Sequence, residues 1–217
     1  MKFEDRADAG RRLAAALGVY ANRQPVVLAL PRGGVPVAVA VAEALKAPLD
    51  LVLVRKIGTP GQPELALGAV VDGAHPTIVC NAEILTATGT SAAEFDAIGR
   101  RELAEIERRR ARYLGGRVPL DVAGRVVIVV DDGIATGATV RAALRATRER
   151  GPARLVLAVP VAAPDALEAL RKEVDATVCL ASPEKFRGVG QFYADFRQAT
   201  DEEVVDLLAR ASITPAK

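Results

Sequence analysis

The apolar positions of this chain alternate between two patterns. Short blocks rich in Val, Ile and Leu read as strands at Val26–Leu30, Leu49–Arg55, Leu67–Val71, Thr77–Cys80, Val126–Val130, Leu155–Pro160 and Ala176–Leu180. Helical patterns cover Asp5–Tyr20, Pro36–Lys46, Ala92–Tyr113, Ala138–Arg150 and Pro164–Lys172, with a further helix from about Thr200. Strands that alternate with helices in this way build a parallel sheet with helices packed on it. Pro36–Lys46 is apolar nearly all round, so it belongs in the interior. Thr200-Asp201-Glu202-Glu203 has the form of a capping box.

The strand Val126–Val130 is β-branched at every position, as expected of a central strand covered on both faces. It runs directly into Asp131-Asp132-Gly133-Ile134-Ala135-Thr136-Gly137-Ala138-Thr139. The carboxyl edge of such a sheet is where open α/β folds bind ligands. Gly133 and Gly137 let a ligand approach the main chain. The helix that follows offers its first free N–H groups and its dipole to an anion, and Thr136 and Thr139 add hydroxyl donors. Two carboxylates that accept from hydroxyls, placed before a cradle of donors, suit a sugar phosphate. The run lacks the Lys of a nucleoside-triphosphate loop, and its acids precede its glycines, unlike a dinucleotide fingerprint.

This run resembles the phosphoribosyl pyrophosphate (PRPP) motif of the type I phosphoribosyltransferases. The resemblance implies an α/β fold with a parallel twisted sheet flanked by helices, a helical insertion and a small C-terminal hood. It implies one domain over residues 1–217, with a core at about 20–181, the insertion at about 81–115 and the hood at about 182–200. Asp131 and Asp132 would contact the ribose hydroxyls, and Ala135–Thr139 would wrap the 5′-phosphate, so Asp131 through Thr139, including Gly133 and Ile134, form the expected PRPP loop. Ala135 departs from the many members that carry a hydroxyl there, which removes one side-chain donor.

Leu30-Pro31-Arg32-Gly33-Gly34 repeats the logic of a strand end leading to a helix. Adjacent glycines can direct main-chain N–H groups at an anion, and Arg32 adds charge. The resemblance makes Arg32, Gly33 and Gly34 the pyrophosphate loop, and makes Arg55 and Lys56 basic residues acting on the same group in catalysis. A Gly- and Pro-containing hairpin or loop follows, and Ile57–Ala66 contains no Lys or Arg. That departs from members whose mobile loop carries a cation. Along Ala92–Tyr113, Arg and Glu interleave, with Glu105 and Arg109 at helix-pair spacing, as on a solvated salt-bridged face; a lid or subunit contact is the alternative.

Composition narrows the function. The chain has 217 residues, is 50% hydrophobic and carries a net charge of +2, which argues against a dedicated nucleic-acid binder. With no apolar run long enough to span a bilayer, a cytoplasmic protein is expected. Cys80 and Cys179 each follow a β-branched residue and read as buried free thiols, and His75 lies in a turn as surface punctuation. A single His leaves no Ser-His-Asp or Cys-His arrangement. Residues 185–196 hold four of the eight aromatics. They form the hood candidate, with Phe192, Tyr193 and Phe196 as acceptor-binding residues.

The expected activity is transfer of a phosphoribosyl group from PRPP to a small nitrogenous acceptor with release of pyrophosphate. It would depend on Mg2+, held mainly indirectly near Asp131 and Asp132. A PRPP-binding regulator without transfer activity is the alternative, and another phosphorylated sugar a third reading. A homodimer is also expected of such a domain.

Overall fold

The computed structural model describes residues 1–72 and 76–211. Five parallel strands form the main sheet: β1 (Val26–Ala29), β2 (Leu49–Leu51), β6 (Val126–Val130), β7 (Arg154–Val161) and β8 (Ala176–Ala181). Their order is β2-β1-β6-β7-β8. A second, antiparallel sheet consists of β3 (Val54–Thr59), β4 (Gln62–Val71) and β5 (Thr77–Cys80), in that order. The helices are α1 (Arg6–Ala16), α2 (Gly34–Leu45), α3 (Ala82–Thr88), α4 (Ala92–Leu114), α5 (Ala138–Glu149), α6 (Pro164–Arg171) and α7 (Asp201–Ala211).

Alternation along each central strand explains the layering. Ile128 and Val130 face a core shared with α1, α2, α4 and α7. Val127 and Val129 face a second core built with α5 and α6. Val156 and Ala158 lie in the first core, and Leu155, Leu157 and Val159 in the second. Both faces of the sheet are therefore covered, which is why these strands read as continuous apolar runs rather than as alternating ones.

The chain leaves β1 through α2 toward β2, and leaves β6 through α5 toward β7. β1 and β6 are neighbours, so the two connections diverge from one point. Their helices cover opposite faces of the sheet. Such a switch point opens a crevice at the carboxyl ends of the two strands.

Several boundaries differ from the sequence reading. Leu49–Arg55 is two strands, because Leu53 turns toward the small sheet, where its N–H donates to Asp72 Oδ1 (2.6 Å). The break falls inside the unbroken apolar run Leu51–Val54, so periodicity gives no sign of it. The first helix ends at Ala16, and Gly18–Arg23 continues as a 3₁₀ turn. Both cysteines are free, but Cys80 is exposed and Cys179 half-buried, because they lie on strands at the edges of their sheets. His75 lies outside the described residues. No helix among the described residues is long and apolar enough to cross a membrane.

The α4 helix is more firmly held than a solvated face would be. Glu105 does pair with Arg108 and Arg109 on its exposed side. Arg110, however, reaches the buried Asp50 and Asp72, and Arg112 pairs with Asp201 and Glu202 of α7. Tyr113 donates its hydroxyl to Asp201 (2.6 Å). Phe95, Ile106, Tyr113 and Leu114 sit in the core beneath.

Candidate functional site

The register places two loops side by side. Ala29 pairs with Val130, and the N–H of Leu30 donates to the Val130 carbonyl (3.0 Å). Pro31–Gly34 and Asp131–Asp132 therefore emerge together at the crevice. The Pro31–Arg32 peptide is cis. A Cβ on Gly33 would lie 2.6 Å from Asp132 Cγ, and one on Gly34 would lie 2.8 Å from the Val130 carbonyl oxygen. Glycine is needed at both positions for this approach. Gly137, at φ 77°, uses the left-handed conformation to start α5.

Both helices that begin here lack a side-chain cap: α2 starts after Gly33 and α5 after Gly137. By contrast, Asp5 caps α1, Asn81 caps α3 and Ser91 caps α4, the last in a full capping box with Glu94. The start of α5 therefore offers uncapped N–H groups that favour an anion, whereas in α2 the N–H groups of Gly34 and Val35 donate to the carbonyls of Leu30 (3.0 Å) and Arg32 (3.2 Å) and Pro36 has none.

Between them stand the two acids. Asp131 Oδ1 accepts from the N–H of Asp132 (2.8 Å). Asp132 Oδ2 accepts from Arg6 Nε of α1 (2.7 Å), and only 11% and 13% of these two side chains are exposed. The Arg6 guanidinium lies 4.1 Å from the centre of the Phe196 ring, and Nη1 also donates to the carbonyl of Arg197 (2.7 Å). Burial, then the adjacent charge of Asp132, pushes the Asp131 carboxyl well above the usual range. Burial also raises Asp132, against the downward pull of Arg6.

The basic residues named from the sequence stand on different supports. Arg32 lies 3.6 Å from Asp201. Arg55 and Lys56 belong to β3 of the small sheet rather than to the end of a main-sheet strand. Arg55 is paired with the buried Glu102 of α4 (2.8 Å). Lys56 lines a cavity of about 620 Å3 between the small sheet and α5, together with Thr139, Arg141 and Arg145. It also lines a second cavity of about 460 Å3 with Arg55, Thr59 and Glu102. Lys56 and the first turn of α5 thus line one space.

Three sequence assignments need correction. Ile134 is buried, and its N–H donates to the Val161 carbonyl (2.9 Å), so it anchors the loop to β7 and offers no donor to a ligand. Phe192 and Tyr193 are also buried, in a cluster with Phe3 and Val161, where they have no open ring face for an acceptor. Clustered aromatics in a polar stretch signal packing as readily as stacking, and here packing wins. Phe196 is 36% exposed, and Arg6 covers one of its faces. Tyr193 instead donates its hydroxyl to the backbone carbonyl of Asp132 (2.6 Å), which fastens residues 189–197 onto the loop after β6. Val189 completes that contact, since a Cβ on Gly133 would come within 2.9 Å of its Cγ2. Sequence reasoning missed Arg6, which is 126 residues from its partner and carries no local signal.

The fold is thus an α/β sheet whose switch point brings two carboxylates, a glycine loop and the uncapped start of α5 together. Comparison with known proteins narrows this fold to a family. The profile of the phosphoribosyl transferase domain matches residues 3–197, and the chain belongs to that family. A Mycobacterium tuberculosis (strain H37Rv) protein, named provisionally as a phosphoribosyl transferase, is 47% identical over 209 residues. That match covers 96% of this chain and 47% of the relative, so the chain spans about half the length of that relative. The crystal structure of TT1426 from Thermus thermophilus is 43% identical, with a TM-score of 0.85, over 97% of this chain and 99% of that one. A uracil phosphoribosyltransferase of Streptomyces griseus is 38% identical over 71 residues, which are 33% of this chain and 34% of that protein.

Proposed function

We propose that this protein transfers a phosphoribosyl group from PRPP to a nitrogenous acceptor and releases pyrophosphate. The observation that carries this reading is the register of β1 with β6, which brings the uncapped start of α5, the acids Asp131 and Asp132, and the Pro31–Gly34 loop with Arg32 to one crevice. A ligand with a phosphate at each end of a ribose matches that order of donors, acceptors and donors. The start of α5, with Ala135–Thr139, takes the 5′-phosphate, and the carboxylates take the hydroxyls. Arg32, Gly33 and Gly34, with Arg55 and Lys56, take the pyrophosphate.

Loss of pyrophosphate from C1 builds positive charge on the sugar and negative charge on the leaving group. Fixed N–H groups and cations stabilise that change when they favour the transition state over the ground state. No covalent nucleophile is required. Members of this family generally use Mg2+ with PRPP. The donor set suits an ion bound largely through its ligand, since no cluster of three or more His, Cys, Asp or Glu among the described residues could hold a metal. Asp131 and Asp132 would be the protein groups nearest to it. When bound, Mg2+ would offset charge on the departing pyrophosphate.

The same reading makes residues 1–217 one domain, with the insertion at 81–115 and the hood at 182–200. It keeps Phe196 as the aromatic nearest an acceptor through its exposed edge, since Arg6 (4.1 Å) and the Tyr193 ring (5.1 Å) lie against it. One observation favours a PRPP-binding regulator instead: the segment Ile57–Ala66 around the hairpin turn carries no cation to close over the leaving group. Purified protein incubated with PRPP, Mg2+ and a panel of bases, with pyrophosphate release followed, separates the two. Acceptor-dependent release supports transfer. Saturable PRPP binding without release under any base supports the regulator, and no PRPP binding refutes both.

A further inference from the structure

We propose that Arg6, which lies outside every motif of the site, is a positioning residue that aims Asp132 at the ribose diol. This inference rests on the PRPP reading above.

Each acid has one oxygen engaged by another residue of the protein. Asp131 Oδ1 is held by the N–H of Asp132, and Asp132 Oδ2 by Arg6 Nε. Among the described residues, no hydrogen bond from another residue reaches Asp131 Oδ2 or Asp132 Oδ1. One oxygen of each acid therefore remains for a ligand, and a ribose presents two neighbouring hydroxyls. An arginine acting as a plug would have to bind both oxygens of Asp132, whereas Arg6 binds Oδ2 alone.

Arg6 is itself fixed. The Phe196 ring (4.1 Å), the Tyr193 ring (5.9 Å) and the carbonyl of Arg197 (2.7 Å) hold the guanidinium in one plane. A planar donor held this way sets the orientation of the carboxylate it binds, which a flexible ammonium does less well. Its charge also offsets one of two adjacent carboxylates that must accept a ligand bearing phosphates. Because Phe196 and Arg197 belong to the segment that Tyr193 fastens to the backbone of Asp132, the same contact ties the C-terminal segment to the ribose acids. Arg6 thus links the N-terminal helix, the C-terminal segment and the diol.

The test is calorimetry on the full chain with three probes: inorganic phosphate, ribose 5-phosphate and 2-deoxyribose 5-phosphate. The wild type should prefer ribose 5-phosphate to its deoxy analogue. Arg6→Gln should leave inorganic phosphate affinity unchanged and weaken ribose 5-phosphate by about tenfold or more, as expected for loss of a charged hydrogen bond. The preference for ribose over deoxyribose should shrink accordingly. Arg6→Lys should fall between the two, and it carries the test if the Gln variant does not fold. An unchanged ribose preference in the variant overturns the proposal and leaves the PRPP reading intact. Parallel loss of phosphate and ribose 5-phosphate also overturns it, since that pattern marks a purely structural role. A wild type that binds phosphate but cannot tell ribose from deoxyribose removes the diol reading itself, and the proposal with it.

Discussion

Replacement of Gly33 by alanine isolates steric fit at the site from backbone preference. Gly33 has φ −60° and ψ −38°, a conformation any residue adopts, so alanine introduces no backbone strain. It should even gain about 0.4–1 kcal/mol by restricting the unfolded chain. The added Cβ, however, would lie 2.6 Å from Asp132 Cγ and 3.1 Å from Oδ1. Ordinary carbon contacts fall at about 3.5–4 Å, so one group must retreat by roughly 1 Å. The backbone of Gly33 is pinned by α2 and by close packing of Gly34 on Val130, which leaves the carboxylate to yield. Overpacking of this kind costs about 1–3 kcal/mol, and about 1 kcal/mol corresponds to roughly 2–4 °C in Tm for a chain of this size. The loss in Tm should therefore stay below about 12 °C. A displacement of about 1 Å at a positioning group can cost on the order of 100-fold in activity, so the functional loss should exceed the stability loss. Calorimetric titration with PRPP and Mg2+, with thermal melting alongside, provides the assay. Gly18→Ala is the control, because nothing lies within 4 Å of its added Cβ. A Gly33→Ala protein that binds PRPP like the wild type, with Tm unchanged, would refute the packing argument.

Three further outcomes follow from the geometry. Arg110→Met should destabilise the fold by about 3–5 kcal/mol, because it strands the buried Asp50 and Asp72 without their cation; a denaturant melt with Cm unchanged would contradict this. Burial, together with its bond to Asp201, pushes the Tyr113 hydroxyl up to about 12 from a usual 10. Its folded form holds the proton longer, so its contribution to stability is full below pH 10 and is lost as pH rises through 12; this should appear as a late phenolate transition that Tyr113→Phe removes. Arg55→Ala should weaken PRPP more than ribose 5-phosphate by about tenfold, since only the former carries pyrophosphate, and equal losses would place Arg55 elsewhere.

The features legible from the sequence were those that local chemistry dictates. An unbroken β-branched block such as Val126–Val130 suits a strand buried on both faces, and two acids followed by a glycine-rich turn mark its carboxyl end. Gly33-Gly34 could be placed at a second strand end for the same reason. The capping box at Thr200 forms as its spacing requires, with reciprocal bonds to Glu203 of 3.1 and 2.9 Å. What the sequence could not show is how distant segments meet. Leu49–Arg55 hides its break because Leu51–Val54 is apolar straight across it. Phe192 and Tyr193 were legible as an aromatic cluster, but only packing against Phe3 decides that their faces are closed. Ile134 looks like one more loop residue until its N–H is found on β7. Glu102 and Arg6 carry no motif; each gains meaning only when folding brings it to Arg55 or Asp132. Backbone preference and hydrophobic period are properties of neighbouring residues, so they specify elements and strand ends. Charge pairing between distant segments depends on side chains far apart in the chain, and only the tertiary structure decides it.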